Sequence, residues 1–199
     1  MGFSGHLVFA RGERSVLEAS VFGGVDGELR GAVHAWPSRP GGWRTLQFDH
    51  GLWEDEHLGV LVERTGAPAC VADVSDSDLA LVTGLGTDGR RWQAWLNLDT
   101  AAALQVEEPE DLDDTSLWVA SPEFDDAVRR KRVELEGNVP ADARGALAWA
   151  AAAGVPAGAG QGRIEELLRS HETFVEDLFS VLLDELGFPP EPGDASPEP

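Results

Sequence analysis

A long apolar stripe near the C-terminus restricts what this chain can become more than any other feature. Between Arg163 and Leu186, the residues Ile164, Leu167, Leu168, Phe174, Val175, Leu178, Phe179, Leu182 and Leu186 recur at the spacing of one helix face, while Glu165, Glu166, Glu172, Glu176 and Asp177 fall elsewhere. Each such side chain contributes about 1.5–3 kcal/mol when it leaves water, so a face several turns long has to dock. The spacing predicts a single helix over 163–186, ended by Gly187, with Phe188 making the apolar contact that accompanies a left-handed cap. The glycine-rich residues 154–162 read as a flexible linker before it. The helix therefore docks either within the chain or on another copy, which would give a homodimer through 163–186.

The surface that would receive it is legible upstream. Short apolar runs bounded by turn residues predict strands over 6–11, 43–49, 69–75, 79–84 and 91–98, with one short strand within 30–35. Asp76-Ser77-Asp78 and Thr87-Asp88-Gly89 supply the turns of an antiparallel meander. A helix from Glu54, with Leu58, Leu61, Val62 and Thr65 at helical spacing, ends at Gly66 before Pro68. Because it bridges two strands, one parallel pair is expected. Ser121-Pro122-Glu123 opens a helix to about Glu136 with Phe124, Val128 and Leu135 inward, and a second helix over 141–153 is anchored by Leu147 and Trp149.

These elements predict an α+β fold with a small mixed, mainly antiparallel sheet, one helix in the N-terminal part and about three C-terminal helices packed on it. Residues 1–106 form the sheet-bearing part. Residues 107–187 are an acidic loop and helical part of the same domain, and 188–199 a disordered, acidic, proline-rich tail.

Charge decides which partners suit this fold. The formal net charge is -21, with 36 acidic against 15 basic side chains. Such a surface repels nucleic-acid phosphates and anionic membranes and favours a basic protein partner. The single cysteine, Cys70, allows neither an internal disulfide nor a multi-cysteine metal site, which fits a reducing, cytoplasmic setting. The N-terminus reads as a strand rather than a targeting segment. Arginine far outnumbers lysine, as in bacterial genomes rich in G and C.

The sharpest cluster of chemistry-bearing residues is His50, Glu54 and His57, whose spacing could offer ligands to zinc or iron. The Glu-x-x-His pair occurs once, whereas a di-iron bundle needs it twice, so an acid-capped helix start is the preferred reading. Asp73, Asp76 and Asp78 lack the frame of a calcium loop and read as a hairpin turn. Residues 158–162 follow no strand and so read as linker rather than phosphate loop. The basic run Arg129-Arg130-Lys131-Arg132 spreads through about 300 degrees of a helix and should pair with Asp125, Asp126, Glu134 and Glu136.

Two features point to a partner. Trp92 and Trp95 are three apart on a strand and must face opposite sides, so one is core while Trp95, beside Gln93 and Asn97, is either a contact candidate at the surface or lies under the C-terminal helices. Residues 107–116 hold six carboxylates, Glu107, Glu108, Glu110, Asp111, Asp113 and Asp114, and no base. The expected function is a non-enzymatic acidic module, with no cofactor, that binds or neutralises a basic partner in an immunity-like or adaptor role. The alternative is a small metal-dependent enzyme or ligand-binding protein built on His50, Glu54 and His57.

Overall fold

A computed structural model describes residues 2–12, 33–49, 51, 53–107, 118–119, 121–156 and 158–190. Six strands, β1 (Gly5–Arg11), β2 (His34–Ala35), β3 (Trp43–Asp49), β4 (Ala69–Ser75), β5 (Leu79–Leu85) and β6 (Arg91–Leu96), form one sheet in the order β2-β3-β1-β4-β5-β6. Every pairing among the described strands is antiparallel. In β1, Leu7, Val8, Phe9 and Ala10 are all buried, which suits a strand covered on both faces, and β1 takes the interior place. Helix α1 (Glu56–Thr65) joins β3 to β4, and these two strands do run parallel. They never pair, however, because β1 lies between them, with Val8 opposite both Leu46 and Val71.

Alternation along the strands sends side chains into two separate cores. Toward α1 point Val8, Ala10, Leu46, Phe48, Ala69 and Val71, packed with Trp53, Leu58, Leu61 and Val62. Gly66 closes α1 in the left-handed conformation at φ 61°, as its position after the apolar repeat predicts. The opposite face carries Leu7, Phe9, Cys70, Ala72, Val82, Trp92 and Leu96. It is covered by α2 (Leu98–Leu104), α3 (Pro122–Ala152), α4 (Gln161–Arg169) and α5 (Val175–Glu185). The architecture is α+β: among the described residues, an antiparallel sheet with one helix on one face and four on the other.

The helical layer corrects the expected boundaries in three places. Where two helices were predicted over 121–153, one helix runs unbroken through Pro140. Its buried stripe, Leu135, Val139, Ala143, Ala146 and Ala150, continues on both sides of the proline, so burial outweighs the roughly 3 kcal/mol that an interior proline costs. Ser121 caps this helix as predicted, its Oγ accepting the Phe124 N–H at 3.2 Å. The stripe over 163–186 is carried by two helices rather than one, because Ser170 turns extended and its Oγ bonds back to Leu167 O at 2.7 Å. Phe174, assigned to the stripe, is exposed, and Leu183, left out of it, is buried.

Residues 154–162 are also more than a linker. The Ala159 N–H donates to Glu185 O at 2.7 Å, and a Cβ on Gly158 would come within 2.0 Å of that oxygen, so glycine is required for the close approach. The two short helices lay their apolar faces on the sheet and on α3, and the stripe is covered within the chain. Gly187 and Phe188 end α5 as predicted, with the Phe188 N–H donating to Leu183 O. Phe188 is itself core, 4.8 Å from Trp43 and 5.1 Å from Phe9 between ring centres, rather than the first residue of a tail.

The strand predicted over 91–98 stops at Leu96, and helix α2 begins at once. Asn97 makes the switch with a left-handed backbone, φ 58°. Its fully buried side chain donates to Asp78 O (2.7 Å) and Glu172 O (2.9 Å) and accepts the Glu172 N–H (3.1 Å), holding the hairpin turn against the α4–α5 connection. Asn97→Ala is expected to lose about 2–3 kcal/mol of stability in urea unfolding. Asn97→Gly should lose less, because glycine adopts the left-handed backbone without strain.

Candidate functional site

Helix α1 rests on β1, β4 and β5. Register places the residues of that face in rows. One row runs Phe48, His6, Asp73, Leu81, Trp95, and the next Leu46, Val8, Val71, Thr83, Gln93. At the α1 end the residues are buried; toward β6 they emerge, with Leu81, Thr83 and Trp95 half-buried and Asp73 and Gln93 exposed. The Gln93 amide donates to Thr83 Oγ1 at 3.0 Å, and His6 Nε2 lies 3.6 Å from Asp73 Oδ1.

Trp95 and Leu81 thus lie side by side, half-buried, with polar side chains around them, and Trp95 also packs against the edge of the main core. Trp92 faces the other way and is buried, as the two-residue strand period demands. Leu81, Thr83 and Asp73 were not singled out from sequence as neighbours of Trp95. Alternation shows that they share a face, but only the strand register puts them in its row.

Of the acidic candidates, Glu107 is exposed, whereas Glu108, Glu110, Asp111, Asp113 and Asp114 lie outside the described residues. Glu107 lines a cavity of about 510 Å³ between α2 and α3 with Gln105, Val106, Arg130 and Lys131. The basic run around it is largely occupied. Arg129 pairs with Asp126, Lys131 with Glu134 at 2.9 Å, and Arg132 with Asp99 at 2.7 Å and Glu136 at 3.0 Å. Asp99, on α2, is a partner that helical spacing could not show.

Of the metal candidates, His50 lies outside the described residues. His57 Nδ1 accepts the Glu54 backbone N–H at 3.1 Å, and its ring sits edge-on to Trp53 at 5.4 Å, so the imidazole caps the start of α1. Among the described residues no three His, Cys, Asp or Glu side chains gather around a point that could hold a metal ion. Asp76 and Ser77 form the predicted hairpin turn, both left-handed at φ 50° and 59°, with Asp78 N–H donating to Ser75 O. Ser77 tolerates that backbone because its Oγ bonds Phe3 N–H and Glu176. Cys70 is fully buried in β4, and desolvation pushes its thiol far above its ordinary pKa, which fits a structural role.

One carboxyl departs from the solvated majority. Burial against the helical layer pushes the pKa of Asp142, on α3, up to about 6 from an ordinary 3.8. A folded pKa above the unfolded one means that the folded state holds the proton longer, so stability contributed by this group is present below the unfolded value and lost as pH rises through about 6. Asp142 is half-exposed, and after solvent screening the effect is on the order of 1 kcal/mol. Asp142→Asn should therefore raise the urea midpoint at pH 7.5 and leave it nearly unchanged at pH 4.

Among the described residues no helix is long and apolar enough to cross a membrane. The chain matches no protein-family model, and neither a curated protein nor a solved structure shows significant similarity to it.

Proposed function

We propose that this chain is an acidic protein-binding module that neutralises or adapts a basic partner, with the open half of the sheet around Trp95 as its anchor. The observation that carries this reading is Trp95 half-buried beside Leu81, with the polar Asp73, Thr83 and Gln93 around it. The charge of -21 supplies long-range attraction to a basic surface, and the aromatic anchor supplies the short-range contact. The buried polar side chains Arg39, Ser77 and Asn97 are committed to holding loops and helix ends, which supports a role carried by the surface.

The test is capture from lysate by the full chain, identification of what is retained, and a binding measurement with the purified partner. The reading expects a basic protein whose affinity falls roughly ten-fold or more as salt is raised across the physiological range, and about ten-fold with Trp95→Ala. Changing the six acids of 107–114 to Ser and Asn should weaken association as well. A partner that is not basic, or binding indifferent both to salt and to Trp95→Ala, would contradict it.

A further inference from the structure

Strand β6 closes one end of the sheet, so one of its sides has no neighbouring strand among the described residues. The Gly86 N–H donates to Arg90 O at 2.9 Å, and this bond sets the phase of the β5–β6 ladder. Trp92, Ala94 and Leu96 therefore bond to β5, while the N–H and C=O of Arg91, Gln93 and Trp95 point away from the sheet. No backbone group of a turn, loop or helix end among the described residues bonds to them. Arg91 and Gln93 are also exposed.

The opposite edge strand, β2, has two residues and is followed after Trp36 by Pro37, both features that discourage pairing. β6 differs. It runs for six residues with no proline and no break in its register to β5, and Arg91 is its one charged residue. Donors and acceptors that repeat along such an edge at every second residue match another extended backbone.

We propose that β6 pairs with β6 of a second copy of this chain, antiparallel about a two-fold axis at Gln93, which joins two sheets into one. Outward residues must meet outward residues across an antiparallel pair, and in this register Arg91, Gln93 and Trp95 are all engaged. A slip of two residues either way leaves one of them in each copy without its mate. Gln93 then lies opposite Gln93 of the other copy, and Arg91 opposite its Trp95. Arg90 is held by Asp88 at 3.4 Å, whereas Arg91 has no ion pair among the described residues and can lie on the indole. The Gln93 amide gives one hydrogen to Thr83 Oγ1 at 3.0 Å, which leaves its second hydrogen and its oxygen for the other amide. This contact does not depend on the partner reading above, and salt separates the two. Both copies carry -21, so added salt strengthens the dimer, whereas it weakens capture of a basic protein.

The test is sedimentation of the full chain over a concentration series at low salt and at about 0.5 M salt, with amide hydrogen exchange read at both ends of the series. A dimer is expected, tighter at the higher salt, in which the amides of Arg91, Gln93 and Trp95 exchange at least about ten-fold more slowly than in the dilute monomer. Gln93→Pro removes an outward N–H that β5 does not use, so it should keep cooperative unfolding and be monomeric. Arg91→Gln, an exposed substitution, should weaken the dimer roughly ten-fold, because symmetry removes two cation–indole contacts at once. A chain that stays monomeric at about 200 micromolar in both salts, a dimer whose three amides exchange equally fast at both concentrations, or a dimer undiminished in Arg91→Gln would overturn the proposal. A basic partner lost in Gln93→Pro while the chain itself stays monomeric would assign the edge to that partner and overturn it as well.

Discussion

Replacing Arg39 with methionine is expected to lower the free energy of unfolding by about 3–5 kcal/mol. Arg39 lies in the turn before β3 and is 6% exposed, yet its guanidinium reaches three residues of α5 and the segment just after it. It pairs with Asp184, donates to Phe188 O, and donates to Ser180 Oγ at 2.9 Å and Ser180 O at 3.3 Å. Phe188 O and Asp184 lie at and just beyond the C-terminal end of α5, where the helix dipole is negative, so a cation there serves as counter-charge. Removing it leaves the buried Phe188 O and the Ser180 Oγ without this donor and the part-exposed Asp184 without its cation. Urea unfolding measures the loss, and Arg39→Met combined with Asp184→Leu should recover part of it, because the stranded carboxylate is then gone.

This contact was invisible in the sequence for a physical reason: its partners are 145 and 149 residues away, and no local pattern marks an arginine in a glycine- and proline-rich turn as buried. What could be read was periodicity over short windows. The two-residue period gave the strands and put Trp92 and Trp95 on opposite faces, and the helical repeat gave α1 and its Gly66 cap. Local signals failed where tertiary contacts decided. Pro140 looked like a helix break, yet the stripe from Leu135 to Ala150 is buried on the sheet and carries the helix through it. The stripe over 163–186 looked continuous, yet Asn97 holds Glu172 at the point where the helix turns.

The candidate site shows the same division. Trp95 could be named from its spacing to Trp92, but its neighbours Leu81 and Asp73 come from strands β5 and β4 and depend on register. The parallel relation of β3 and β4 was foreseeable from the bridging helix, whereas the insertion of β1 between them was not, because order in a sheet is a long-range choice. The Glu54–His57 spacing suggested ligands; in the fold the same spacing lets the imidazole reach the backbone N–H that opens the helix.

The two faces of the sheet have distinct tasks. One is sealed by α2 to α5 through a cluster in which Phe9 stacks on Trp43 at 5.1 Å and Phe188 closes over both. Such aromatic pairs add about 0.5–1.5 kcal/mol each beyond area burial. On the other face, among the described residues, α1 covers Val8, Leu46, Phe48 and Val71, and Trp95 is half-buried.

The direct measurement of this architecture is cooperative unfolding of the full chain beside a chain ended after Gly162. That cut removes Ile164, Leu167, Leu168, Val175, Leu178, Phe179, Leu182, Leu183, Leu186 and Phe188 from the core and uncovers the sheet face beneath them. The shortened chain should show no cooperative transition in urea and should expose its tryptophans to solvent. A sharp transition at the midpoint of the full chain would mean that the C-terminal helices do not seal the sheet.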